Sequence, residues 1–265
     1  MPRGGIRLPT PMSDTQPSSY ASTYHAPVLV TEVLELLRSA RHVLDGTLGG
    51  GGHSLALLEA GKRVDALDRD PEALAEARRR LATWEQGGHF RAHLGNYADV
   101  AAVEALDGVH FEGILLDLGI SSHQIDDEAR GFTFREGAPL DMRMGDDAVG
   151  SAADFLNESD EHELARVFRD YGDEPRAGRL AREIHRRRGT RPFATSDDLV
   201  GAIRGALGAR TGPGDFARLF QAVRIAVNDE LAGLARALPD LRDRLVPGGV
   251  LAVIAYHSGE DRLVK

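Results

Sequence analysis

Three carboxylates stand at the ends of apolar segments that are predicted to be strands. Asp45 ends HVLD, Asp68 ends RVDALD, and Asp117 ends GILLD. In an open α/β sheet, ligands bind in the crevice outside the carboxyl ends of the strands. A carboxylate there can bind hydroxyl groups, face a cationic group, or accept a hydrogen bond from an amine. The pattern therefore predicts a ligand site, with Asp117 placed to take part in chemistry on an amine.

The loop after the first of these strands, DGTLGGGGHS, contains four consecutive glycines. Gly51 and Gly52, followed by His53, leave bare backbone where N–H groups and a helix N-terminus would meet a ligand. The strict dinucleotide pattern GxGxxG has Gly or Ala last, whereas counting from Gly49 this loop has Ser54 there. A tight turn with no ligand is the alternative interpretation of the glycines.

Further residues of this region are candidate cofactor contacts. Asp68 follows Asp45 by 23 residues, where such folds place an acid on ribose hydroxyls. Asp45 favours S-adenosylmethionine over a nicotinamide cofactor, because a carboxylate can face the methionine amino group but repels a pyrophosphate. Capping of the glycine turn is the alternative role of Asp45. Tyr97 can stack on adenine or simply pack in the core. Gln124, in the loop after Asp117, is a further polar candidate.

Short apolar segments alternate with helical stretches over the first half of the chain. Helices are predicted at 53–60, 71–84 and 98–106, and strands at 41–47, 63–68, 89–94 and 113–119. This alternation predicts an α/β fold with a doubly wound, Rossmann-like parallel sheet that is covered on both faces.

The alternation stops after the fourth strand. The next stretch contains only predicted helices, at 151–157, 160–170, 175–188, 196–207 and 215–237. A fifth strand, GGVLAVIAYHS, is entered through the turn Pro247-Gly248-Gly249. The sequence therefore predicts a helical insertion domain between the fourth and fifth strands. The predicted divisions are a disordered tail at 1–24, a sheet domain at 25–125 and 239–265, and the insertion at 126–238.

Composition excludes several classes of protein. The chain has 265 residues, 42% of them hydrophobic, which is enough for a large buried core. It contains no cysteine and hence no disulfide, cysteine-ligated zinc or iron–sulfur cluster. No apolar run suits a membrane helix or a signal peptide. We therefore expect a soluble, cytoplasmic protein without a metal. His25, His53 and His257 could gather in the cleft, but each alone is more typical of a loop or cap.

The charge of the chain is strongly polarised. The 32 Lys and Arg against 41 Asp and Glu give a net charge of −9, which by itself does not favour nucleic acid. Residues 176–191, however, hold seven Arg and one Glu, directly after an acidic stretch. Arg186, Arg187 and Arg188 are therefore candidate contacts to an RNA backbone. A solvated helix that pairs with the acidic stretch is the alternative.

Two aromatic residues, Phe132 and Phe134, follow the Asp117 loop in the segment RGFTFREG. If the substrate is a nucleic-acid base, a paired or stacked base must be turned out of its helix to reach the predicted ligand site. Both phenylalanines are candidates for stacking on such a base. Core packing is the alternative for at least one of them.

Seven blocks of the sequence resemble the bacterial 16S ribosomal RNA cytosine-N4 methyltransferases and occur in the order of that family. They are HAPVLVTEVLELL, DGTLGGGGHS, ALDRDPEAL, GILLDLGISSHQIDDEARGFTFREGAPLDMRM, SAADFLNE, FQAVRIAVNDEL and LVPGGVLAVIAYHSGEDRLVK. The blocks cover nearly the whole chain after Tyr24, and together they are highly specific. The resemblance implies a class I methyltransferase sheet.

This resemblance implies an enzyme that uses S-adenosylmethionine to methylate the exocyclic N4 of one cytidine in the decoding region of 16S rRNA. The expected partner is that RNA within the small ribosomal subunit, and a homodimer is compatible with it. Position by position, the implied cofactor contacts are Gly51, Gly52, His53, Asp68, Tyr97, Asp117 and Gln124.

The chain departs from the family pattern at two places. Gly259 in HSGEDR stands where the family usually has Leu, and family members continue beyond the position of Lys265. We therefore expect the last edge strands of the sheet to be absent. An inactive, methyltransferase-like ribosome-binding or assembly factor is an alternative function. A nicotinamide-dependent oxidoreductase is another, although it accounts only for the first two strands.

Overall fold

The computed structural model describes residue 20, residues 27–208 and residues 210–265. The predicted disordered tail at 1–24 lies outside the described residues except for Tyr20, and His25 lies outside them as well. Five strands form one sheet in the described part: β1 (His42–Asp45), β2 (Arg63–Asp68), β3 (Phe90–Leu94), β4 (Phe111–Asp117) and β5 (Leu245–Ile254).

Helices cover both faces of this sheet and fill the stretch between β4 and β5. Those before β4 are α1 (Val30–Leu36), α2 (Gly52–Glu59), α3 (Pro71–Arg80) and α4 (Ala82–Gln86). Those after β4 are α5 (Ser122–Asp126), α6 (Ala152–Glu158), α7 (Glu161–Asp170), α8 (Ala177–Arg188), α9 (Ser196–Leu207), α10 (Pro213–Val227), α11 (Glu230–Asp243) and α12 (Ser258–Val264).

The strands are all parallel and lie in the order β3-β2-β1-β4-β5. The predicted doubly wound α/β fold is therefore confirmed. The strand order reverses between β1 and β4, and a crevice at such a switch point is the usual ligand site of these folds. Asp45 and Asp117 end these two strands, so the fold brings both carboxylates to that edge.

The sheet has two buried faces because its central strands are apolar throughout. In β4 the run Ile114, Leu115 and Leu116 is fully buried, and successive residues point to opposite faces. Leu115 packs in the cluster that includes residues of α1 to α3. Ile114 and Leu116 pack in the cluster on the other face, which includes residues of α11.

The described residues between β4 and β5 are helices and loops, apart from one isolated bridge between Pro139 and Thr195. Helices α6 to α10 pack around a hydrophobic cluster of their own. Helix α11 instead buries Leu234, Ala237 and Leu241 against the sheet. The predicted division of the chain into domains stays a prediction, but this packing groups α11 with the sheet rather than with the helices before it.

Three predicted helices differ from the structure. The helix predicted at 215–237 is broken into α10 and α11, because Asp229 adopts a left-handed backbone with φ of 52°. The helix predicted at 71–84 ends at Arg80 and restarts at Ala82, with Leu81 buried at the junction. The stretch predicted as a helix at 98–106 forms two short 3₁₀ helices, because Val103 between them has an extended backbone.

Strand β5 begins earlier than predicted. Its pairing with β4 starts at Leu245 opposite Phe111 and resumes at Val250 opposite Gly113. The stretch Pro247-Gly248-Gly249 is therefore an irregularity inside the strand rather than a turn before it. Proline is tolerated at such a bulge because it need not donate to the ladder.

Candidate active site

A cleft opens at the carboxyl ends of the strands and is lined by the loops that follow all five of them. Its empty space, counted together with the open mouth, is about 980 Å³. The loop after β4 and the start of α11 close its sides. Of the predicted cofactor residues, six line it: Gly52, His53, Asp68, Tyr97, Asp117 and Gln124.

The other two predicted cofactor residues, Asp45 and Gly51, support the glycine loop from behind. Asp45 is buried and accepts hydrogen bonds from Ser54 Oγ at 2.7 Å and from the Thr47 amide at 3.2 Å. Burial raises the pKa of this carboxyl group. Gly51 has a φ of 75°, and a Cβ there would lie 3.1 Å from Leu81. The geometry thus matches the capping role that the sequence left open for Asp45.

Two glycines of the loop let the backbone reach the cleft. A Cβ at Gly52 would lie 2.8 Å from the Pro27 ring, so α2 can begin there only with glycine. At Gly49 a Cβ would meet nothing within 4 Å, and this position lines the cleft. The loop therefore presents bare backbone to a ligand, as the run of glycines predicts.

Asp68 stands at the end of β2 and is oriented by two backbone amides. Its carboxylate accepts hydrogen bonds from the Gly49 N–H at 2.7 Å and from the Asp70 N–H at 2.9 Å. Burial raises the pKa of Asp68 to about 6, and these two hydrogen bonds partly oppose that rise. The side chain is held at the lip of the cleft, where it can accept hydrogen bonds from ligand hydroxyls.

Asp117 is held between the glycine loop and the loop after β5. Its backbone N–H donates to Thr47 Oγ1 at 2.6 Å. One carboxylate oxygen accepts the Tyr256 hydroxyl at 2.9 Å, and the other lies 3.5 Å from His53 Nδ1. The Nε2 atom of His53 lies 2.7 Å from the Val28 carbonyl oxygen and must carry a hydrogen to bond it. His53 thereby reaches Asp117 through Nδ1.

Tyr256 is a cleft residue that sequence reasoning missed. Its backbone N–H donates to the buried carboxylate of Glu260 at 2.8 Å. Burial opposes ionisation of Glu260, but hydrogen bonds from His257 and from the Tyr256 N–H hold its pKa below the usual range. His257 caps α12 by accepting the Gly259 N–H. The available signal was the position of Tyr256 directly after β5, at the edge of the sheet where Asp117 lies.

Gln124 joins the loop after β4 to the loop after β2. Its side-chain oxygen accepts the Ser121 N–H at 3.0 Å, and its side-chain nitrogen donates to Asp70 at 3.2 Å. Arg130 donates to the same Asp70 carboxylate at 2.9 Å. Gln124 lines the cleft, and its amide also stabilises the walls of the cleft on either side.

One wall of the cleft combines the predicted residue Tyr97 with residues that the sequence did not single out. Tyr97 lines it and is largely buried, which raises the pKa of its hydroxyl. Next to it, Asn96 and Arg69 both donate to the Asp147 carboxylate, at 2.9 and 2.8 Å. Asp147 belongs to the segment before α6, so this wall joins the sheet to the helical region.

Asn228 makes a second junction between these parts. Its side chain accepts the Met144 N–H at 2.8 Å and donates to the carbonyl oxygens of Met142 at 2.7 Å and of Arg224 at 3.0 Å. Both Asn228 and Met144 line the cleft. The residue after it, Asp229, carries the backbone break between α10 and α11. No local sequence pattern indicated this role of Asn228.

The two phenylalanines predicted to stack on a base lie elsewhere. Phe132 packs against the hydrophobic cluster of the helical region, and the Arg130 guanidinium lies 6.0 Å from its ring centroid. The Phe134 ring lies 5.9 and 6.0 Å from the rings of Phe216 and Phe220. Neither residue lines the cleft, so the structure does not bring them to Asp117.

The three candidate RNA-binding arginines lie at the end of α8 and differ in their partners. Arg186 and Arg187 both pair with Glu183, at 2.8 and 2.6 Å. Arg188 instead donates to the carbonyl oxygens of Leu156 and Ser159, at 3.1 and 2.6 Å. Arg188 therefore caps the end of α6, whereas Arg186 is 67% exposed.

Sequence comparison decides the family. Residues 22–265 match the sequence model of the MraW methylase family. The chain belongs to the MraW methylase family. Its function as a methyltransferase enzyme that uses S-adenosylmethionine, predicted from the sequence, is confirmed. No helix in the described part of this MraW chain is long and apolar enough to span a bilayer.

Several curated MraW-like proteins share the name "Ribosomal RNA small subunit methyltransferase H". The protein of that name from Gemmatimonas aurantiaca is 64% identical over 249 residues, which are 94% of this chain and 79% of that protein. The one from Heliobacterium modesticaldum is 48% identical, covering 91% of this chain and 80% of the relative. The one from Anaeromyxobacter dehalogenans is 49% identical, covering 91% of this chain and 79% of the relative.

The charge of the residues that line the cleft of this MraW chain suits S-adenosylmethionine. Its described lining has four carboxylates against a single guanidinium, that of Arg69, which is already paired with Asp147. An acidic lining attracts the sulfonium and ammonium groups of the methyl donor and opposes a pyrophosphate. The four carboxylates are those of Asp68, Asp117, Asp229 and Glu230.

Proposed function

We propose that this MraW protein methylates the exocyclic N4 of a cytidine in the decoding region of 16S rRNA. The name of its relatives supports small-subunit ribosomal RNA as the substrate class. The motif resemblance supports the cytidine N4. The observation that carries the proposal is the position of Asp117, a carboxylate in the methyl-donor cleft that the Tyr256 hydroxyl holds in place and that lies 3.5 Å from His53 Nδ1.

The chemistry assigns Asp117 the role of hydrogen-bond and proton acceptor. When bound, S-adenosylmethionine supplies an electrophilic methyl group on a sulfonium. The N4 lone pair of cytosine is delocalised into the ring, so the amine is a poor nucleophile. The Asp117 carboxylate accepts a hydrogen bond from this amine, which helps its lone pair to localise and point at the methyl carbon. As the carbon–nitrogen bond forms and the carbon–sulfur bond breaks, the nitrogen passes a proton to Asp117.

The other lining residues would bind the methyl donor. Asp68 accepts hydrogen bonds from the ribose hydroxyls, and Tyr97 flanks the adenine. Gly52 and His53 lie where α2 begins, beside the methionine part. Gln124 contributes an amide in the wall next to Ser121. In this proposal Asp45 and Gly51 act on the loop and not on the cofactor.

Substitution of Asp117 tests its catalytic role. We expect Asp117→Ala to lower the rate of methyl transfer by about two to four orders of magnitude, which is the usual contribution of a general base. Calorimetry with S-adenosylmethionine reports separately on cofactor affinity. Transfer at near wild-type rate with unchanged affinity would show that Asp117 is not the acceptor.

A comparison of substrates tests the partner. We propose the assembled small ribosomal subunit, rather than naked 16S rRNA, as the form that the enzyme methylates. Methyl transfer to both forms, with mass spectrometry of the labelled nucleotide, identifies the substrate and the modified base. Binding to the subunit without any transfer would instead support the inactive assembly factor. The cytoplasmic location stays a prediction, and a homodimer stays compatible with the resemblance.

A further inference from the structure

Tyr256 presents an open aromatic ring at the mouth of the cleft. Two phenol rings, those of Tyr97 and Tyr256, belong to the described lining. Tyr97 is largely buried in the wall, whereas Tyr256 is 55% exposed. An exposed aromatic ring next to a polar catalytic group is a typical stacking surface for an unpaired base.

The ring is held rigidly although it is exposed. Its hydroxyl donates to Asp117 at 2.9 Å, and the backbone N–H of Tyr256 donates to Glu260, which is only 3% exposed. One ring edge lies against the backbone of Gly119, where a Cβ would come within 3.4 Å of Tyr256 Cδ2. A stacking surface that is fixed before the substrate arrives costs less entropy on binding.

We propose that Tyr256 is the residue on which the turned-out cytosine stacks, an inference that rests on the proposed function. An exocyclic amine projects from the edge of its base and in the plane of the ring. A base that stacks on Tyr256 therefore presents this edge toward Asp117, because the phenol oxygen and the carboxylate are already in contact. Phe132 and Phe134, the sequence candidates for stacking, do not line the cleft.

The hydroxyl of Tyr256 has a separable role as a positioning group. Its hydrogen bond fixes one oxygen of the Asp117 carboxylate, and His53 lies near the other. The ring thus binds the base, while the hydroxyl orients the acceptor. Because the two functions belong to different atoms, two substitutions at this position separate them.

Steady-state kinetics with unmethylated small ribosomal subunits measure the two roles. Tyr256→Leu removes the ring, and we expect KM for the subunit to rise roughly tenfold to hundredfold, the usual loss for one stacked base. Tyr256→Phe keeps the ring, so KM should stay within about twofold while kcat falls about tenfold, as for one lost hydrogen bond to a charged group. An unchanged KM in Tyr256→Leu would overturn the proposal.

Two controls keep this result interpretable. Leu36 is 52% exposed on α1 and does not line the cleft, so Leu36→Ala should leave both KM and kcat unchanged. Calorimetry with S-adenosylhomocysteine should give the same affinity for all variants, which shows that the cofactor site is intact. A loss of cofactor affinity in Tyr256→Leu would place the ring on the cofactor and would contradict the proposal.

A photocrosslink tests the stacking without requiring turnover. A single-stranded RNA that carries 5-iodocytidine is irradiated with the protein and S-adenosylhomocysteine, and mass spectrometry identifies the crosslinked residue. We expect the crosslink at Tyr256. A crosslink at Phe132, Phe134 or Tyr97 would overturn the inference. If wild-type protein transfers no methyl group but crosslinks at Tyr256, the proposed function fails while the base site stands.

Discussion

The Asp68 carboxylate accepts a hydrogen bond from the backbone N–H of Gly49 at 2.7 Å. The acid assigned to the cofactor ribose is thus also a structural partner of the glycine loop on the neighbouring strand. Any change in the protonation or identity of Asp68 acts on both the ligand and the loop. Cofactor affinity and the shape of the loop therefore depend on the same side chain.

We expect cofactor affinity to fall in mild acid because of Asp68. Burial raises its pKa to about 6, so the ionised form is lost as the pH falls through this value. An ionised carboxylate accepts stronger hydrogen bonds than a neutral acid. Calorimetry with S-adenosylhomocysteine should show an affinity about tenfold lower at pH ~5 than at pH ~7.5.

The variant Asp68→Asn is the matched control for this pH effect. Its amide cannot ionise, so affinity should be low and the fall near pH 6 should disappear. A wild-type affinity that is flat across this range would contradict the assignment. For folding, the raised pKa means that the stability contributed by Asp68 is fully present below its ordinary pKa of 3.8 and is lost as the pH rises through about 6.

Lys62 should be important for stability and not for the reaction. Its buried ammonium donates to the carbonyl oxygens of Leu37 and Ala40, both at 2.8 Å, and so caps the end of α1. Lys62→Met leaves these acceptors without their donor, and we expect a loss of about 2–3 kcal/mol in the free energy of unfolding. Urea titration measures it, with the exposed neighbour Arg63→Met as control. Equal stability of the two variants would refute this role.

Asn228 should affect stability and cofactor affinity together. Asn228→Ala removes three hydrogen bonds at the junction that lines the cleft. We expect a loss of about 2–3 kcal/mol in the free energy of unfolding and a clear drop in affinity for S-adenosylhomocysteine.

A second hydrogen-bonded amide, that of the half-buried Asn157, provides the control for Asn228. Asn157 exchanges two hydrogen bonds with the backbone of Phe193, both at 2.9 Å, inside the helical region and away from the cleft. Asn157→Ala should destabilise the protein similarly but leave cofactor affinity unchanged. If both variants weaken cofactor binding equally, the effect is one of general stability.

The arginines at the end of α8 should separate into two classes. Arg186→Glu reverses an exposed charge, so binding to 16S rRNA should weaken. The slope of log affinity against log salt concentration should decrease in magnitude by about one. Arg188→Glu removes the donor to Leu156 and Ser159, so it should lower the free energy of unfolding. If Arg186→Glu binds 16S rRNA as tightly as the wild-type protein across the salt titration, this surface is not part of the RNA interface.

The sheet and the position of its ligand edge could be predicted because they depend on local patterns. The apolar runs before Asp45, Asp68 and Asp117 each form a strand, and their ends meet at one edge. The glycine run likewise identified the loop that approaches the cleft. The residue type of Asp45 alone could not show that its side chain faces inward and binds Ser54.

The parts that could not be predicted depend on contacts between distant segments. Whether Phe134 faces a base or Phe216 is decided by how the helices pack, which no local pattern encodes. The break at Asp229 is similar, since Asn228 binds backbone atoms of the distant Met142 and Met144. Helical periodicity continues across the break and hides it.

The strand order has a consequence for the assembly of the site during synthesis. The chain emerges from its N-terminus, and β4 lies between β1 and β5 in the sheet. Until β5 appears, the apolar strand β4 has an open edge, and the helices α6 to α11 are made in the meantime. Tyr256 and Asp117, which touch in the folded protein, are 139 positions apart. A nascent chain therefore contains the acid of the site long before the ring beside it, and the enzyme cannot act until β5 has paired.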